Sequence, residues 1–237
     1  MTAAPPQAVP GALCDEGGGR DARALPTAAA PDRDCPFCPR LAGFRIEQRR
    51  AHPDWFNAPV PSFGDRAAAL LIVGLAPGLR GANRTGRPFT GDFAGDLLYR
   101  SLLKYGFAVG SYGADPADGI ELRRARITNA VRCVPPQNRP EPSEIGACRP
   151  FLAAELAAMP ELRVILALGA IAHNAVLAAT RLTRAAYPFV HGATYPLPGG
   201  TLLADSYHCS RLNTNTGRLT PAMFEAVIAA LAQRLAA

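Results

Sequence analysis

The sequence is short of several things. It has one lysine, Lys104, one tryptophan and three methionines, and 19% of it is charged. No apolar run approaches the roughly 18 residues that cross a bilayer as a helix. The stretch AAALLIV at 67–73 is strand-sized, which excludes a spanning helix as the organising feature. The N-terminus has no basic start followed by an apolar stretch, so it does not read as a secretory signal. Residues 1–31 lack apolar periodicity, are dominated by Ala, Pro and Gly, and carry GGG at 17–19. They are expected to form a disordered tail, because so little apolar surface cannot offset the entropy of ordering. No GK[ST] follows the glycine-rich stretch at 74–92, which argues against a P-loop. A soluble cytoplasmic protein with one domain over 32–237 is therefore expected.

What remains is enough for a full core: 237 residues, 49% of them hydrophobic. The net charge is +6, carried by arginine apart from Lys104. A basic balance suits a polyanionic partner without naming one. Four apolar runs suit buried strands: 70–76, 126–131, 163–169 and 201–207. Helical patterns lie at 96–107, 143–159 and 170–180, and a last helix opens on Thr220 as N-cap with Pro221 at its first position. Strands alternating with helices predict an α/β layered fold around a mainly parallel sheet. In such sheets ligands sit beyond the carboxyl ends of the strands. Three of those ends are unusually polar: PGLRGANRTGRPFTGD, TNAVRC and HCSRLNTNTG. They predict one site built from all three.

Cysteines stand at 14, 35, 38, 133, 148 and 209. Cys35 and Cys38 form CPFC, and with Cys133 and Cys148 they make a four-thiolate set. Zinc and [4Fe–4S] both accept such a set, and the spacing does not choose between them. Unligated buried thiols are the third reading. Cys14 falls in the tail and Cys209 in the polar wall, so neither reads as a ligand. Within 74–92, Phe89 can stack on a base or fill the core. Asp92 can orient a water or cap the following helix.

Four motifs resemble the uracil-DNA glycosylase superfamily, in particular its type-b branch, family 5. They are PVPSFGD (59–65), GLAPGLRGANRTGRPFTGD (74–92), ITNAVRCVPPQNRPEPSEIGAC (127–148) and SYHCSRLNTNTGRLT (206–220), in the family's order. The resemblance implies a three-layer α/β/α sandwich with a central four-stranded parallel sheet. It implies a [4Fe–4S] cluster on Cys35, Cys38, Cys133 and Cys148. The implied activity is hydrolysis of the N-glycosidic bond of deaminated bases in DNA: uracil, together with hypoxanthine and xanthine. The base must first be flipped out of the stack. The implied partner is double-stranded DNA carrying such bases, with single strands a further substrate, and the protein is expected to be a monomer with no membrane association. A non-catalytic iron–sulfur DNA-binding sensor of damage or redox state is the alternative.

The same resemblance implies residue roles. His208 stabilises the departing base, Asn129 reads its edge, and Phe89 stacks on it. Backbone at Gly74 and Ala76 lines the sugar side. Ala76 stands where related branches carry a polar side chain, which moves the task of positioning water to Asp92. Ser210, Leu212 and Asn213 meet the DNA backbone and the gap in the stack. Arg80, Arg84, Arg87, Arg211 and Arg218 are candidates for phosphate contacts. The chain departs from the family pattern at Arg80, where His is usual, and at Leu212, where Gln is usual.

Overall fold

The structure is a computed structural model in which residues 30–236 are described. The expected tail at 1–31, with Cys14, lies almost wholly outside them. The first element is helix α1 (Pro39–Ala51), which opens directly after Cys38, and the one-turn helix α2 (Ala82–Thr85) follows the first strand. Strand β1 (Leu70–Gly74) is central, with β4 (Ala125–Asn129) on one side and β5 (Val164–Leu168) on the other. Strand β7 (Leu202–Ser206) pairs with β5. All four run parallel, at the four places where apolar runs predict strands.

The sheet has a fifth strand, which differs from the expected four. Strand β6 (Thr194–Pro196) pairs antiparallel with β7 and forms the edge. Its three residues end in proline, and short, proline-bearing strands are tolerated at edges, where an N–H is not needed on both sides. A separate small hairpin joins β2 (Ala108–Val109) to β3 (Glu121–Leu122).

Alternating side chains of the buried strands feed two cores. Leu70, Ile72, Ile127, Leu166 and Leu168 face helices α3 (Phe93–Lys104) and α7 (Pro221–Ala236). Leu71, Val73, Ile165, Ala167 and Leu203 face α4 (Pro142–Ala157) and α5 (Ala170–Ala179). Burial on both faces explains why the strands are continuously apolar rather than alternating. The result is the expected three-layer α/β/α sandwich.

Helix starts follow local chemistry. Thr220 Oγ1 accepts the Met223 N–H at 3.2 Å and caps α7. Helix α4 opens with a capping box of Glu141 and Glu144, with proline next to the cap. Arg40 of α1 grips the same Glu144 carboxylate through two 2.8 Å bonds, tying α1 to α4. Helix α3 begins at Phe93, earlier than the pattern from 96 indicates, because Asp92 caps it.

Candidate active site

Strand ends β1 and β4 register Gly74 against Asn129 at the carboxyl edge of the sheet. Strand β7 ends two residues before His208. A pocket opens there, lined by Ala76, Pro77, Gly78, Phe89, Asp92, Asn129 and His208, among others. The three polar termini expected to converge do so.

Each side chain has a traceable support. Phe89 adopts a left-handed backbone, φ 56°, which L-residues rarely accept. Its ring lies 5.8 Å from the His208 ring, inclined by 29°. Gly74 lies beneath this contact. A Cβ there would fall 2.4 Å from Asn129 Oδ1 and 2.5 Å from Phe89 Cζ, so only glycine fits. Asn129 is buried, and its Oδ1 has no protein partner. A buried acceptor without a partner is costly, and a ligand N–H would satisfy it.

Asp92 performs the helix-capping task and still faces the pocket. Its Oδ1 accepts the Gly95 N–H at 3.3 Å. Its Oδ2 is turned toward Gly78 and Gly81, where added Cβ atoms would lie 3.1 and 2.4 Å from it. Burial raises the Asp92 pKa, while the amides of Gly95 and Ala94 at the helix start pull the other way. Burial pushes the His208 pKa down to about 4, which leaves the imidazole neutral near pH 7. Asn213 Nδ2 donates to the His208 carbonyl at 2.8 Å and fixes the loop. Ser210 caps the short helix α6 (Arg211–Asn215), accepting from the Asn213 N–H at 3.4 Å.

Gly74, Ser210, Leu212 and Asn213 do not line the pocket. Gly74 supports it from below, and Ser210 and Asn213 shape its loop. Leu212 is 71% exposed, so it is free to enter a partner. Arg80, Arg84, Arg211 and Arg218 are exposed, but Arg87 is not a free cation. It is buried and makes a bidentate pair with Asp118, at 2.8 and 2.7 Å. Nothing local in the sequence links those two positions.

A second cavity lies between α1, α4 and the loop that follows β4. Cys35, Cys38, Cys133 and Cys148 line it together with Phe37, Leu41, Val131 and Phe151. Among the described residues no three His, Cys, Asp or Glu side chains gather as ligands of a single metal ion. Arg45, 2% exposed, reaches Cys133 Sγ at 3.2 Å. It forms no ion pair among the described residues, and its Nε has no partner. The Arg132 N–H meets Cys148 Sγ at 3.4 Å. A buried cation facing four thiols asks for a negatively charged occupant. Cys209 is fully buried in the sheet core, apart from this set.

The remaining histidines are occupied structurally. His173 sits between Asp205 Oδ1, at 2.7 Å, and the Tyr187 carbonyl, at 2.8 Å. His191 accepts the Tyr207 N–H at 3.1 Å, and exposed His52 stacks on Trp55.

Comparison with known proteins decides the family. The model of the uracil DNA glycosylase superfamily matches residues 61–232. The chain belongs to this superfamily. Within it, the chain is similar to the type-5 uracil-DNA glycosylase of Thermus thermophilus, 50% identical over 200 residues, covering 82% of this chain and 90% of that one. It is similar also to the type-5 uracil-DNA glycosylase of Mycobacterium leprae, 43% identical over 212 residues, with 86% and 93% covered. That of Pyrobaculum aerophilum is 42% identical over 191 residues, with 79% and 83% covered. The superfamily match spans both strand ends and the His208 loop that build the pocket.

Proposed function

We propose that the protein is a DNA glycosylase that hydrolyses the N-glycosidic bond of uracil, and of hypoxanthine and xanthine, leaving an abasic site. The observation that carries this reading is the grouping of Asp92, Phe89, Asn129 and His208 around one pocket. A flipped uracil stacks on Phe89. Its N3–H supplies the donor that Asn129 Oδ1 lacks, and the amide Nδ2 of the same residue donates to the neighbouring carbonyl.

As the bond from C1′ to the base nitrogen breaks, its electron pair leaves with the base and spreads onto the carbonyl oxygen. Neutral His208 donates an N–H to that oxygen. A neutral donor suits this task, since it stabilises the developing charge without being removed as an acid first. Water attacks C1′ from the other side. The Asp92 carboxylate orients it, offsets the positive charge on the sugar and takes its proton. Leu212 enters the emptied stack, and Arg80, Arg84, Arg211 and Arg218 meet phosphates, which makes affinity fall with salt.

Cys35, Cys38, Cys133 and Cys148 are read as ligands of a [4Fe–4S] cluster. The buried Arg45 beside the thiols favours an anionic centre there, and the resemblance to the type-b branch selects the cluster over zinc. When bound, the cluster supplies a structural tie between the CPFC segment and the loop after β4, and no step of base removal passes through it. The purified protein is expected to be brown and to hold iron and acid-labile sulfide in equal amounts. Cys35→Ala is expected to bleach the thiolate–iron absorbance; a colourless wild type holding zinc would overturn the assignment.

The activity itself is tested with labelled duplexes and single strands containing uracil, hypoxanthine or xanthine, followed by alkali to cut abasic sites. Cleavage at uracil supports the reading. No abasic product from any substrate would return the protein to the class of non-catalytic DNA-binding sensors.

A further inference from the structure

We propose that Tyr112 is a positioning residue, whose hydroxyl on the Phe89 carbonyl holds Phe89 and Asp92 in their places in the pocket. The inference rests on the glycosylase reading for its consequence, and on geometry for its substance. Phe89 sits in a strained left-handed conformation, φ 56°, and strain of this kind persists only where the surroundings over-determine it. The surroundings are explicit. Tyr112 Oη donates to the Phe89 carbonyl at 3.1 Å. Tyr99 Oη donates to the Pro88 carbonyl at 2.7 Å. Thr85 Oγ1 donates to the Thr90 carbonyl at 3.1 Å. The segment 88–90 is thus gripped from behind at three consecutive carbonyls.

Tyr112 is the distinctive member of this set. It comes from the loop between β2 and β3, which contributes nothing to the pocket lining. Its hydroxyl reaches the Phe89 carbonyl three residues before Asp92, at the start of the turn that joins the two pocket residues. Burial pushes the Tyr112 pKa up to about 12, which keeps the hydroxyl a donor throughout the working range. The ring is fixed by stacking on Tyr99, with centroids 4.5 Å apart and planes inclined by 20°.

The loop bearing Tyr112 is itself pinned. Asp118 accepts the Gly113 N–H at 2.9 Å and the Ile120 N–H at 3.1 Å, and it pairs with Arg87. Arg87 immediately precedes the gripped segment. Gly95 completes the fit: a Cβ there would fall 1.8 Å from the Phe89 carbonyl oxygen and 2.3 Å from the Tyr112 hydroxyl. The absence of a side chain at 95 makes room for this hydrogen bond. Released from it, Phe89 can relax toward ordinary backbone angles, moving its ring off the base and Asp92 off the water line. Displacements of about 1 Å at a reacting centre can cost on the order of 100-fold in rate.

The test compares Tyr112→Phe and Tyr112→Ala with wild type in three readouts: single-turnover excision of uracil, affinity for abasic product duplex, and amide exchange at 88–92. Tyr112→Phe keeps the stack on Tyr99 and loses only the hydroxyl. It is expected to lower the single-turnover rate by about 10- to 100-fold. Product-duplex affinity should stay within about twofold, since phosphate contacts are untouched. Exchange at 88–92 should speed up by about tenfold or more, while core strands stay protected. A Tyr112→Phe protein with wild-type rate and wild-type exchange overturns the proposal, even where Tyr112→Ala is damaged, because the ring and not the hydroxyl would then matter. If wild type forms no abasic product, the glycosylase reading fails, and the exchange comparison alone decides whether Tyr112 holds the turn.

Discussion

Asp92→Asn is expected to lower single-turnover excision by roughly 100- to 10,000-fold, the range that a positioned acid–base group contributes. DNA affinity and Tm should stay close to wild type. The substitution separates two tasks that share one side chain. Asp92 caps α3 through Oδ1, and Asn is as good an N-cap as Asp, so the cap on Gly95 survives. What is lost is the charge on the oxygen facing Gly78 and Gly81. The buried setting that raises the Asp92 pKa also makes it a stronger base once ionised. An amide there can still contact water, but it cannot accept the proton or offset a cationic sugar. The measurement is a rapid-quench time course with enzyme in excess, beside a binding titration on abasic product duplex. A variant that excises uracil at near wild-type rate removes Asp92 from the water side. One that loses rate only in step with DNA affinity recasts it as a binding residue.

The dual use proposed for Asp92 shows what a sequence can and cannot convey. Capping and catalysis are competing explanations of one residue when only its neighbours in the chain are visible. In the fold they are compatible, because a carboxylate has two oxygens. The four parallel strands were legible, since burial on both faces writes an unbroken apolar run. So was the convergence of Asn129 and His208, because strand ends in a parallel sheet share an edge. Strand β6 was not, since its three residues, TYP, carry no alternation to read. Helix α1 escaped for a related reason: with buried Leu41 and Arg45 it presents a weak apolar stripe, and its anchorage comes from Arg40 and the cysteine cavity. Arg87 looked like a phosphate contact because it sits among basic residues. Its partner Asp118 lies 31 residues away, and no local rule connects them. Tyr112 was invisible for the same reason. Its loop supports the pocket from outside the family motifs.

The largest effect on stability is expected from Glu155→Gln, at about 3–5 kcal/mol, because it leaves two buried cations without their anion. Glu155 lies on α4 and is 2% exposed. One carboxylate oxygen pairs with Arg126 on β4, and the other with Arg132 at 3.0 Å. Arg132 is 1% exposed, and burial lowers its pKa, so its charge depends on the carboxylate. For a chain of this size the loss corresponds to a fall in Tm of roughly 6–20 °C. The pH dependence follows from the direction of the Glu155 shift. Burial alone would raise its pKa, but Arg132 and Arg126 outweigh burial and hold it below the ordinary 4.5. A depressed carboxylate stabilises the fold above its unfolded pKa and loses that contribution as pH falls through the folded value. The gap between wild type and Glu155→Gln should therefore be widest near neutrality and narrow as the pH falls below the ordinary 4.5 through the lowered folded value. Urea unfolding at pH 7 and again in acid measures it. A gap under about 1 kcal/mol at pH 7 would mean that water or backbone already neutralises the arginines, and a gap that persists in acid would mean that packing rather than charge is lost. The position of the pair gives the measurement a second reach. Arg132 donates its backbone N–H to Cys148 and accepts the Val60 N–H, three residues beyond Asn129, so loosening it loosens the cysteine cavity and the end of β4 together.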